Sequence, residues 1–126
     1  MILGILVTHG TLAAGLKDAV GQMLGEQPGF YTLSNTGVAG AEIIAGINKI
    51  LEGNSGSSAV LFSDLYGGSC WRSCRFVTTQ NAKVAWVSGV NLPMLLTFFS
   101  NRSKMEFDQL LQKVVRTGQE GIKVEN

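Results

Sequence analysis

Two short stretches leave this chain little freedom in what it can fold into. Ile2-Leu3-Gly4-Ile5-Leu6-Val7 and Ala59-Val60-Leu61-Phe62 hold no polar side chain at all. Neither alternates apolar with polar residues, as a strand with one wet face does. Flanked by polar residues and turn formers, both are too short for a buried helix. Such runs read as strands buried on both faces, the hallmark of a parallel sheet covered by helices. Each stops abruptly at polar residues, Thr8-His9-Gly10-Thr11 after the first and Ser63-Asp64 after the second.

The segments between them have the matching period. Leu12 to Leu24 places Leu12, Leu16, Ala19, Val20, Met23 and Leu24 at helical spacing, with Gly25 as a stop. Phe30 to Leu33 reads as a short strand. Gly40 to Leu51 carries the stripe Ile43, Ile44, Ile47, Ile50 and Leu51. Ser69 to Thr79 reads as a helix and Lys83 to Val87 as a fourth strand. Gly89 to Pro93 reads as a turn into an apolar helix from Met94 to Phe99, a core or subunit-interface segment. Phe107 to Gly118 reads as a last helix, with Leu110, Leu111, Val114 and Val115 inward. Strands alternating with helices imply right-handed crossovers, hence a single-domain doubly wound α/β fold with a mainly parallel sheet.

The chain has 126 residues, which suits one domain over 1–126 with a sizeable core. A net charge of +1 gives no footprint for nucleic acid or an anionic membrane. The first apolar run lacks a basic flank and breaks at His9-Gly10, so it is not a secretory signal. No apolar stretch approaches the ~20 residues of a membrane span. The expected location is the cytoplasm.

In open parallel sheets, chemistry lies beyond the carboxyl ends of the strands, where strand order reverses. In the common order 2-1-3-4 the first and third strands are neighbours. His9, the only histidine, then lies beside Asp64. A lone histidine at a strand end is more often structural, and a lone aspartate there is more often a cap or turn former. Together they make a different object. A carboxylate that accepts from one ring nitrogen fixes the tautomer and frees the other nitrogen as nucleophile, base or ligand. Gly10 leaves room for a substrate to approach.

Gly67-Gly68-Ser69, just before a helix, forms a backbone N–H nest suited to an anion, with Ser69 as cap or hydroxyl donor. Most such turns bind nothing. There is no P-loop and no GxGxxG, so a nucleotide site is not indicated. Cys70 and Cys74 stand four apart on the presumed helix, without CxxC spacing. Small buried residues is their default reading, and neither zinc nor another cofactor is expected. A thiol beside an anion nest also carries a minor redox alternative at Cys70. Arg72 lies near the same helix start, either solvated or in reach of a phosphate.

Four segments, Ile5-Leu6-Val7-Thr8-His9-Gly10, Asp64-Leu65-Tyr66-Gly67-Gly68-Ser69, Gly89-Val90-Asn91-Leu92-Pro93-Met94-Leu95 and Thr117-Gly118-Gln119-Glu120-Gly121, occur in this order. Together they resemble the IIA component of the mannose/fructose-type sugar phosphotransferase system (PTS), over essentially the whole chain. The resemblance implies that His9 accepts a phosphoryl group, that Asp64 hydrogen-bonds its ring, and that Ser69 lies beside the phosphoryl group. It implies the phosphocarrier protein HPr as donor and a IIB component as acceptor, through a cysteine or, for this type, a histidine. Membrane contact is then only through the IIC and IID components. It also implies a homodimer with an exchanged C-terminal strand, for which Gly121 to Asn126 is the available segment.

The expected mechanism is in-line attack by the imidazole. Equatorial oxygens are met by N–H groups of Gly67, Gly68 and Ser69 and by the hydroxyls of Ser69 and Thr11. The chain departs from the family where Cys70-Trp71-Arg72 replaces the usual Pro, bulky apolar residue and Asn. Cys70 and Arg72 are therefore candidate modulators of the site. A regulatory phosphocarrier not coupled to transport is the alternative. A histidine phosphatase with a strand-end His-Gly calls for Arg before it and a second histidine, and a chelatase for further histidines; this chain has neither.

Overall fold

The structure, a computed structural model, describes residues 1–126. Four strands, β1 (Leu3–Thr8), β2 (Phe30–Ser34), β3 (Ala59–Ser63) and β4 (Val84–Val87), alternate with helices. These are α1 (Leu12–Leu24), α2 (Gly40–Glu52), α3 (Gly68–Gln80), α4 (Leu92–Asn101) and α5 (Phe107–Glu120). The sheet is parallel throughout, in the order β2-β1-β3-β4. That is the order expected from the sequence. β1 and β3 are the inner strands, and every residue of both is buried.

The sheet separates two apolar layers. One face packs α1, α4 and α5 through Leu6, Val60, Phe62, Leu95, Phe98, Leu110 and Val114; the other packs α2 and α3 through Ile5, Val7, Leu61, Ile43, Ile47, Cys74 and Val77. Alternate residues of β1 and β3 therefore face opposite cores. This is why those runs contain no polar side chain. Gly4 permits the tight approach of α4, since a Cβ there would lie 2.9 Å from Phe98 Cε2 and 3.0 Å from Phe99 Cζ.

Several boundaries differ from the sequence reading. α4 starts at Leu92, so Leu92 and Pro93 belong to the helix and not to the preceding turn. The Asn91 side chain accepts from Met94 N at 3.1 Å and so caps the helix, and proline is at home in a first turn, where its missing N–H costs nothing. Asn91 also donates to Gly118 O at 3.1 Å, tying α4 to α5. On α1 the inward residues are Ala13, Leu16 and Val20; Leu12, Met23 and Leu24 are exposed, so the stripe is narrower than the sequence suggests. α3 begins one residue early, at Gly68. The tail after α5 forms no strand within this chain, and Ile122 and Val124 are exposed. No helix is long and apolar enough to cross a membrane.

Candidate functional site

The register of the sheet puts Val7 opposite Ser63. The chain beyond each, Thr8-His9 and Asp64, therefore emerges at the same edge. Asp64 grips His9 at both levels. One carboxylate oxygen accepts from the His9 backbone N–H at 3.0 Å and lies 2.8 Å from ring Nδ1; the other lies 3.1 Å from Nδ1 and accepts from Leu65 N at 3.0 Å. The aspartate does not cap α3, which has no side-chain cap at all. The His9 side chain is 40% exposed and that of Asp64 only 12%, so the pair has a sheltered carboxylate and an open imidazole. With Nδ1 engaged, Nε2 is the free nitrogen. A Cβ built on Gly68 would have Nε2 as its nearest neighbour, 3.9 Å away.

Burial alone would raise the Asp64 carboxyl. It is outweighed by the hydrogen bonds from the His9 backbone and ring and by the charge of the imidazolium, and the carboxyl ends below its ordinary value. A lowered carboxyl stabilises the fold fully above the ordinary aspartate value of about 3.9 and less as pH falls through the folded value. Chemical denaturation at a series of acidic pH values is therefore expected to show a loss of stability below about pH 4 that Asp64→Asn flattens. An identical acid slope in both proteins would remove the pair from the acid response.

Gly67 and Gly68 have φ of 138° and 80°, the left-handed side that L side chains avoid. They turn the chain from the Asp64 loop into α3, with Gly68 beside the imidazole. The first N–H groups of any helix lack intrahelical partners, and here no side chain takes them. Ser69 is the second residue of α3 and not its cap. Its carbonyl accepts from Ser73 Oγ at 2.7 Å. Thr11 stands at the start of α1 with its hydroxyl making no capping bond. Arg72 is exposed and belongs to neither ion pair.

Cys70 is fully buried. Burial and the nearby Asp64 charge push its thiol up, against the Ser69 hydroxyl, which opposes the activation that the redox alternative requires. Cys74 is pushed up further, to about 12, by burial and then by Cys70. The sequence shows no spacing typical of a metal site. The fold nevertheless gathers donor atoms of His9, Asp64 and Cys70 within 4.8 Å of one another.

Sequence reasoning missed the supports on either side. Asn35 Oδ1 accepts from Gly10 N at 3.2 Å, Ser34 Oγ donates to Gly10 O at 2.7 Å, and Asn35 N donates to Thr8 O at 3.1 Å. Ser34 ends β2, the other neighbour of β1, and Asn35 follows it. The strand-order argument that found Asp64 points to them equally. On the far side Trp86 Nε1 donates to Ser63 Oγ at 3.3 Å, and Tyr66 stacks within 5.0 Å of Trp71 and 5.9 Å of Trp86. These rings brace the loop that carries Asp64.

An open parallel sheet with a histidine–aspartate pair and an uncapped helix start at its carboxyl edge defines an α/β protein with its chemistry at the switch point. The family described as "PTS system fructose IIA component" matches residues 4–115, and the chain belongs to that family. It is 27% identical over 117 residues to the PTS system sorbose-specific EIIA component of Lacticaseibacillus casei, covering 92% of this chain and 85% of the relative. It is 31% identical over 122 residues to the PTS system mannose-specific EIIAB component of Escherichia coli (strain K12), covering 94% of this chain but 38% of that longer protein. The crystal structure of phosphotransferase system component EIIA from Streptococcus agalactiae shares the fold, with a TM-score of 0.91 at 23% identity over 98% of this chain and 97% of that one.

Proposed function

We propose that this chain is a phosphohistidine carrier in a PTS of the mannose/fructose type: His9 accepts a phosphoryl group from HPr and passes it to a IIB component during sugar uptake. The observation that carries this reading is the 2.8 Å contact from Asp64 to Nδ1, with Nε2 left free beside Gly68. The Nε2 lone pair attacks phosphorus in line, and the bond from phosphorus to the donor breaks as the new P–N bond forms. The proton on Nδ1 stays there, and the cation that develops on the ring is stabilised by Asp64. Charge on the equatorial oxygens is met by the N–H groups of Gly67, Gly68 and Ser69 and by the Ser69 and Thr11 hydroxyls. Transfer of a phosphoryl group requires mainly position and preorganised charge, both of which these residues supply. The return step to IIB is the same reaction in reverse.

The reading places the chain in the cytoplasm, with the membrane reached only through IIC and IID. The direct test is incubation with phosphoenolpyruvate, enzyme I and HPr, followed by intact-mass analysis. The expected result is one acid-labile phosphoryl group per chain, dependent on HPr. No uptake by the wild-type protein would refute the reading. The alternative of a regulatory carrier differs in its acceptor. Onward transfer to a IIB domain supports transport, and a stable phosphorylated form in the presence of IIB supports regulation.

The same reading includes a homodimer with an exchanged tail. β4 is an unpaired sheet edge, and Trp86, Val87, Leu111 and Val115 line a groove beside it. Ile122 and Val124, two apart in the exposed tail, have strand spacing. Removing residues 122–126 is expected to convert a dimer to a monomer in sedimentation velocity. A full-length monomer, or a dimer that survives truncation, rules out the exchange.

A further inference from the structure

Cys70 occupies the third position of α3, where it presents a sulfur donor to the imidazole and carboxylate already described. We propose that His9, Asp64 and Cys70 form a site for one zinc-type divalent cation, and that this cation competes with the phosphoryl group for His9. Three donors of three kinds, nitrogen, oxygen and sulfur, come from the end of β1, the loop after β3 and the first turn of α3, and lie within 4.8 Å of one another. At zinc bond lengths a tetrahedral ion holds such atoms about 3.3–3.6 Å apart. The Nδ1–Oδ2 distance is 2.8 Å and no pair of the three donor atoms is more than 4.8 Å apart, so modest side-chain rotations reach that range.

The charges also fit. Cys70 loses its thiol proton to solvent as the metal–sulfur bond forms. Its thiolate and the Asp64 carboxylate then neutralise the two positive charges, with a neutral imidazole as third ligand. A thiolate and an imidazole select a borderline-soft ion and disfavour Mg²⁺ or Ca²⁺, which take oxygen ligands. Three protein ligands leave the fourth position open, and the exposed edge of His9 faces solvent. An ion on Nδ1 moves the ring proton to Nε2, and a protonated Nε2 has no lone pair with which to attack phosphorus. The competition rests on the phosphocarrier reading; the metal site itself does not.

Cobalt(II) is the probe, because a thiolate ligand gives it a near-ultraviolet charge-transfer band. Metal-free wild-type protein is expected to develop that band to saturation at one equivalent. Zn²⁺ is expected to displace it and Mg²⁺ to leave it. Cys70→Ser and Cys70→Ala are each expected to lose the band, and Cys74→Ser to keep it. No band in the wild type, or a band that survives both Cys70 variants, overturns the site.

Competition is read as phosphoryl uptake from purified phosphorylated HPr, with and without zinc, each protein normalised to its own value in EDTA. With zinc at ten times its dissociation constant, wild-type uptake is expected to fall about tenfold, while the Cys70→Ser ratio stays near one. Equal loss in both proteins, or no loss in the wild type, overturns the competition. A wild type that takes up nothing in EDTA defeats the phosphocarrier reading and the competition with it; the cobalt band still decides the site.

Discussion

His9→Ala protein is expected to keep its fold and to take up no phosphoryl group from HPr. The side chain is 40% exposed and packs in neither apolar layer, so its removal opens no cavity. Asp64 keeps two backbone donors, the N–H groups of residue 9 and of Leu65. The loop geometry therefore has local support, and the change in stability is expected to stay within about 1 kcal/mol. Uptake fails completely because the chain has no other histidine, and both thiols are held up by burial. Intact mass reads the uptake, and a urea midpoint reads the fold. A labelled His9→Ala chain would move the acceptor elsewhere and sink the proposed mechanism.

Asp64→Asn is expected to slow phosphoryl uptake by about 10²- to 10³-fold without unfolding the chain, the range seen when one preorganised stabilising group is removed. Asparagine retains one oxygen, which accepts from one of the two N–H groups that the two carboxylate oxygens serve. What it loses is the negative charge facing Nδ1 at 2.8 Å. That charge matters little before the reaction and most when the ring becomes cationic, so the loss is expected in the transfer rate and not in the affinity for HPr. Rapid-quench measurement of phosphoryl uptake over a range of HPr concentrations separates the two. An unchanged maximal rate would reduce Asp64 to a structural anchor for the loop.

Much of the fold was legible in the chain because burial on both faces leaves a strong mark. The runs at β1 and β3 have no polar member, as expected of strands covered by helices on both faces. Helix ends were less legible. Nothing in Leu92-Pro93 says whether proline ends a turn or opens a helix; the hydrogen bond from Met94 N to Asn91 decides it. Leu12, Met23 and Leu24 have helical spacing but point outward, because the stripe that meets the sheet is set by how α1 lies across it.

For the site, the sequence by itself determined which groups were available: one histidine, an aspartate after a buried strand, a Gly-Gly-Ser turn and a cysteine where the family usually has proline. It also implied that His9 and Asp64 would meet, because the strands they follow are neighbours in the common order 2-1-3-4. Tertiary structure alone decided the rest. The register of β1 on β3 set the 2.8 Å approach and with it which nitrogen is free. The end of β2 supplied Ser34 and Asn35 beneath Gly10. The first turn of α3 carried Cys70 inward to the same pair. Each of these is a distance between atoms far apart in the chain, fixed by the packing of helices on a sheet, and residue spacing carries no record of it.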